Sequence, residues 1–212
     1  MTRIKLTNNE SVDVQTYITL GATAGCVQEV NDLIFSDSSI TITRIAPLMC
    51  YFTHPKGLTT YVDAPEGSGF NGNVSFNTPP MNCTGSTLPY GMNLAEFIIN
   101  NGFQGPNSQE TIDNSCVAGA NAQIKFTVSA DDWSTNGGTI QVRQIENKRW
   151  KENTGLVGVF PYGCDNCTSS DSPPSCVGRQ PQYANTEPIC NVQRNGVTNN
   201  GGDIEIALIK LF

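Results

Sequence analysis

The residues that nucleophilic enzymes and nucleic-acid binders depend on are scarce in this chain. Of 212 residues one is histidine and two are tryptophan, and only 15% are charged. A serine or cysteine nucleophile usually needs a histidine base, and His54 precedes a proline in "YFTHPKG", a turn-like stretch that predicts an exposed loop position. Twelve lysines and arginines against nineteen acids give a net charge of -7 with no long basic run. The electrostatic footprint of a nucleic-acid binder is therefore missing. The same acidity makes anionic membranes poor partners, and no stretch approaches the roughly 20 apolar residues of a membrane-spanning helix. "GSGFNG" at 67–72 is followed by no Lys-Ser or Lys-Thr, so a phosphate-cradling loop is excluded.

What the chain does have is alternation. Ile4 and Leu6 alternate with Arg3 and Lys5, and Val12, Val14, Thr16, Ile18 and Leu20 alternate with polar residues. "SSITITRIA", "LTTYVD", "GNVSFN", "NLAEFII", "AQIKFTVSA", "GTIQVRQIE", "GLVGVF" and "GDIEIALIKLF" continue the pattern between Gly, Asn and Pro punctuation. The length suits one large all-β domain with a proper core. These features predict a flattened antiparallel β-sandwich of about ten strands, its last strand long enough to pair with its first. A short helical turn is predicted near "CVQEVNDLIF".

Residues 161–201 differ in kind, with four of the eight cysteines, five of the twelve prolines and few aliphatics. They read as a loop lobe beside a sandwich formed by 1–160 and 202–212. Cys26, Cys50, Cys83, Cys116, Cys164, Cys167, Cys176 and Cys190 make an even count, which predicts four disulfides in an oxidising compartment, connectivity unassigned. Zinc held by the last four thiolates is the competing reading; disulfides are preferred because four more cysteines lie elsewhere and the segment carries no histidine. No metal and no cofactor is expected. The chain opens "MTRIKLTNN" directly on strand-like alternation, without a charged-then-apolar leader. Four sequons begin at Asn9, Asn73, Asn82 and Asn166.

Carboxylates remain as carriers of chemistry. In "GMNLAEFIINNGFQG" the strand period puts Leu94, Glu96 and Ile98 on one side and Ala95, Phe97 and Ile99 on the other. A buried, unpaired carboxylate costs several kcal/mol, so Glu96 either points to solvent or sits at a cleft floor, paired or protonated. Glu110 and Asp113 follow within eighteen residues of it, and paired carboxylates are what acid–base chemistry on a glycosidic bond requires.

"NLAEFIINNGFQGPNSQETIDNSCVAGANAQIKF" resembles the thaumatin-like (osmotin, pathogenesis-related) family. Leu94-Ala95-Glu96-Phe97 is similar to that family's Leu-Ala-Glu-Phe/Tyr strand, and Asp113 through Asn121 to its Asp-Ile-Ser-Leu-Val-Asp-Gly-Phe-Asn segment. The resemblance implies a sandwich of about eleven strands beside a disulfide-rich loop domain. Between them it implies an acidic cleft that binds, and in some members cleaves, β-1,3-glucan, in defence against fungi. Glu96 and Asp113 match the cleft glutamate and first aspartate. The second aspartate position holds Ala118, and Arg44 is the nearest counterpart of the family arginine.

The expectation is a secreted, divergent thaumatin-like protein that binds β-glucan through Glu96, Asp113 and Glu110, with Tyr162, Tyr183 or Trp150 stacking on sugar rings. Glu96 and Asp113 are the candidate catalytic residues if it is a weak endo-β-1,3-glucanase, with Glu110, Asp165 or Asp171 as substitutes for the missing aspartate. The alternatives are a structural, self-associating extracellular or particle protein without activity, and a toxin that perturbs fungal membranes.

Overall fold

Alternation becomes strand after strand in the computed structural model, which describes residues 1–79, 92–100, 109–115, 121–130, 132–135, 144–146, 191–195 and 201–212. In chain order the strands are β1 (Arg3–Asn8), β2 (Val14–Leu20), β3 (Ile34–Phe35), β4 (Thr43–Ala46), β5 (Met49–His54), β6 (Thr59–Asp63) and β7 (Phe70–Phe76). After them come β8 (Leu94–Ile99), β9 (Gln109–Ser115), β10 (Ala122–Val128), β11 (Ser134–Thr135), β12 (Gln144–Glu146), β13 (Asn191–Asn195) and β14 (Asp203–Leu211). The helical turn expected near "CVQEVNDLIF" is a single 3-10 turn at Val30–Asp32.

Two sheets form, one ordered β12-β10-β14-β1-β6-β3 and a larger one ordered β11-β13-β9-β8-β7-β2-β5-β4. The first and last strands do pair, and in parallel, with Ile4 beside Ile204 and Leu6 beside Ile206. The other strand pairs among the described residues are antiparallel. The inner faces of both sheets share one core. Ile4, Leu6, Ile124, Phe126, Ile204 and Ile206 come from the smaller sheet; Ile18, Phe52, Val74, Ala95, Phe97 and Ile112 come from the larger. Phe70 meets Phe97 edge to face, ring centres 4.8 Å apart, a geometry that adds to the gain from burial. Gly72 sits where β7 presses on β2: a Cβ there would come 2.5 Å from the Thr19 carbonyl oxygen.

Several expectations need correction. His54 is not in an exposed loop; it ends β5 and is fully buried. Burial is tolerated because its ring nitrogens lie 3.0 Å from the Leu58 carbonyl and 3.4 Å from the Thr16 hydroxyl. Only after it does the chain turn, through Pro55–Leu58. Residues 191–195 are not part of a loop lobe, since β13 lies between β11 and β9 in the larger sheet. The rest of 161–201 lies outside the described residues apart from Gly201.

The four-disulfide expectation fails at Cys26 and Cys50, both free and buried thiols. With two of eight unpaired, four bridges cannot close within the chain. Cys50 packs in the core, where it serves as a small apolar side chain. The other six cysteines lie outside the described residues. Burial pushes the Cys26 thiol up and the Cys50 thiol to about 12. Both should therefore resist alkylation by iodoacetamide at pH 8 in the native protein and react fully in denaturant, which mass spectrometry of digested peptides reads directly. Rapid native labelling of Cys50 would contradict this packing.

Candidate functional site: a groove across the larger sheet

The strand period assigns the faces of β8: Ala95, Phe97 and Ile99 enter the core, and Leu94, Glu96 and Ile98 stand half-buried on the outer face. Register then determines what Glu96 meets. Asp113 of β9 lies directly opposite on one side and Asn73 of β7 on the other, with Thr19 of β2 opposite Asn73. Opposed residues in antiparallel strands point to the same face, with Cβ atoms about 4.5–5.5 Å apart. A polar row therefore crosses four strands. A second row, Asn71, Ile98 and Thr111, runs beside it. Together the two rows floor a groove of about 380 Å³ that reaches Leu20 and Gly21 at the end of β2.

The electrostatics of the groove are unfavourable to the fold. No hydrogen bond or ion pair reaches the Glu96 carboxylate from the described residues, and burial raises its pKa above the ordinary glutamate value. Opposed like charges also destabilise a sheet pair. The Asn73 Oδ1 and Thr19 Oγ1 atoms are closed off from water without a partner. Among the described residues no three His, Cys, Asp or Glu side chains converge to hold a metal ion.

Glu110 does not belong to this groove. It lies three residues before Asp113 on the same strand and so faces the opposite way, into the core. There the Arg194 Nε donates to its Oε2 at 2.6 Å, with both side chains almost fully buried. The Thr2 hydroxyl donates to Glu110 Oε1 at 2.8 Å, and the Asn100 backbone N–H at 2.7 Å. The Arg194 Nη2 reaches Thr2 Oγ1 and the Gly201 carbonyl, its Nη1 reaches Asp132, and the guanidinium lies over the Trp133 ring. Glu110 is thus occupied as a structural anchor. Arg44 is also outside the groove: it lies on edge strand β4 and pairs with Glu29 at 2.8 Å. Tyr162, Tyr183, Trp150, Ala118, Asp165 and Asp171 lie outside the described residues. Of the predicted site residues that are described, Glu96 and Asp113 are the two that the structure brings together.

Sequence reasoning missed Asn71, Asn73 and Arg194. Asn73 had been noticed as a sequon, and the alternation of "GNVSFN" already placed it opposite in sense to the core-facing Val74. Its position beside Glu96 required the pairing of β7 with β8. The other described sequon, at Asn9, lies exposed in the turn between β1 and β2. No family model matches the chain, and no curated protein matches it.

Two outcomes are expected. Arg194→Met leaves a buried carboxylate uncompensated and should cost about 3–5 kcal/mol in urea unfolding, while Glu110→Leu combined with it should recover more than half of that. For Glu96, the raised pKa means that the native state holds the proton at pH values where the unfolded chain, with a value of about 4.3, has lost it. Stability should therefore fall as pH rises above that value, and Glu96→Gln should remove this slope and melt higher than wild type at pH 7. Thermal melts between pH 3.5 and 8 give the comparison.

Proposed function

We propose that this chain is a divergent thaumatin-like protein, secreted, which binds β-1,3-glucan or a related wall polysaccharide in the groove on the larger sheet and acts in defence against fungi. One observation carries the reading: Glu96 and Asp113, the two acids that the sequence resemblance singles out, are cross-strand neighbours on the floor of one groove. The volume lies within the range of about 300–1,000 Å³ typical of small-ligand sites. Sugar hydroxyls are donors, and a carboxylate withdrawn from water accepts from them more strongly than a neutral oxygen does, at about 1.5–3 kcal/mol for each charge-assisted bond. The ligand would thereby supply the partner that Glu96 lacks.

Hydrolysis is a second reading, favoured by the raised pKa of Glu96. A carboxyl that keeps its proton toward neutral pH serves as a general acid, and Asp113 opposite would act as the second carboxylate. A carboxyl separation of about 5 Å suits retention, and about 6.5–9.5 Å inversion.

Calorimetric titration with laminarin tests the binding proposal. Wild type should bind, and Glu96→Gln and Asp113→Asn should each weaken binding about tenfold, the loss of one charge-assisted hydrogen bond. If wild type shows no binding the groove is not a glucan site, and equal binding by all three proteins removes the acids from it. Release of reducing sugar by wild type but not by Glu96→Gln would extend binding to catalysis.

A further inference from the structure

The turn between β1 and β2 places two neighbouring asparagines in opposite settings. Asn8 is fully buried and fully occupied. Its Nδ2 donates to the Val12 carbonyl at 3.0 Å and to the His54 carbonyl at 2.9 Å, and its Oδ1 accepts from the Glu10 N–H at 2.9 Å. An asparagine that bonds the backbone two residues on fixes a turn in this way. The Asn9 N–H donates to the Leu208 carbonyl at 2.9 Å, which moors the turn to β14. With the backbone so held, the Asn9 side chain projects into solvent. No hydrogen bond from the described residues holds it or the exposed Ser11 hydroxyl.

Asn9-Glu10-Ser11 and Asn73-Val74-Ser75 are the two sequons that lie within the described residues. The second is unsuited to carry a glycan. Asn73 is in the middle of β7, paired on both sides, and the Ser75 hydroxyl is buried and donates to the Thr78 carbonyl at 2.8 Å. A sugar on Asn73 would stand between Thr19 and Glu96, on the floor of the groove. Asn9 has neither obstacle. It precedes the start of β2, whereas the groove reaches Leu20 and Gly21 at that strand's other end, about 20 Å away.

Resting on the secreted reading above, we infer that Asn9 is an N-glycan attachment site of the folded protein and that Asn73 stays bare. The co-reactant is a lipid-linked oligosaccharide pyrophosphate. The Asn9 Nδ2 bonds to the anomeric carbon of its first sugar, the bond from that carbon to the pyrophosphate oxygen breaks, the lipid pyrophosphate leaves, and the amide gives up one proton. The Ser11 hydroxyl, two residues on, is the recognition element. A bulky, solubilising chain at this turn extends into solvent and leaves the groove open. Asn9 is outside the left-handed backbone region, and its side chain makes no bond to the fold, so its replacement is not a structural injury.

Expression of the full chain behind a cleavable signal peptide in a eukaryotic secretory host tests this. The exported protein is treated with peptide N-glycosidase in heavy-oxygen water, which converts each glycan-bearing asparagine to a heavy aspartate, and peptide fragmentation reads every sequon separately. Heavy aspartate should appear at position 9 and not at position 73. Asn9→Gln and Ser11→Ala should each abolish it without changing the melting temperature of the deglycosylated protein, and Ser11→Thr should retain it. Exported, folded protein with a bare Asn9, or with a glycan on Asn73, overturns the inference and leaves the secreted reading standing. Failure of the chain to leave the host cell in folded form removes both.

Discussion

The arrangement of the larger sheet turns on the ion pair between Arg194 and Glu110, opposite each other on β13 and β9 and sealed in the interior. A pair of charges so deep is retained only when every remaining donor and acceptor is occupied, and here Thr2, Asn100, Asp132 and Gly201 occupy them. Those partners tie the segment before β1 and the segment before β14 to the end of the larger sheet, so one network joins both layers of the sandwich. It also decides register. Side chains alternate along a strand, and with Glu110 pinned inward Asp113 must face outward. A slip of one residue would bury Asp113 and remove it from Glu96.

The outer face carries the opposite kind of energetics. Where Glu110 is saturated with partners, Glu96 has none among the described residues, stands beside another acid and is pushed toward its neutral form. A sheet optimised for stability alone would place an opposite charge or a β-branched pair at that position. Polar groups left wanting on a rigid floor are how a binding site differs from a structural network, because a ligand completes what the protein does not. The strands beneath Glu96 are central ones with large core side chains on their other face, so the floor is held firmly.

Legibility followed the interior. β1, β2, β8, β10 and β14 send aliphatic and aromatic residues inward at every second position, and their alternation is plain in the sequence. β9 and β13 send Glu110, Asn114 and Arg194 inward with only Ile112 and Val192 between them, so the apolar period vanishes although the strands are central. Asn114 is satisfied there by Asn93 and the Ile124 carbonyl, as Glu110 is by Arg194. Polar residues whose partners are distant in sequence look like loop residues until the partners arrive. His54 was misjudged in part for the same reason: one partner, Thr16, is 38 residues away on β2, while the other, the Leu58 carbonyl, comes from the turn that follows. Cysteine count pointed to disulfides, yet Cys50 is placed as a core side chain, which a count cannot distinguish from a bridge.

The sequence by itself determined that the chain is built from alternating strands and that Glu96 shares a face with Leu94 and Ile98 and not with Ala95, Phe97 and Ile99. Those are properties of the strand period, which is local. Only the tertiary structure decided that Asn73 and Asp113 flank Glu96, that Glu110 is an anchor and not a cleft acid, and that Arg194 holds it. Pairing between strands is set by contacts up to 192 residues apart, as between Thr2 and Arg194. No short stretch of sequence carries that information.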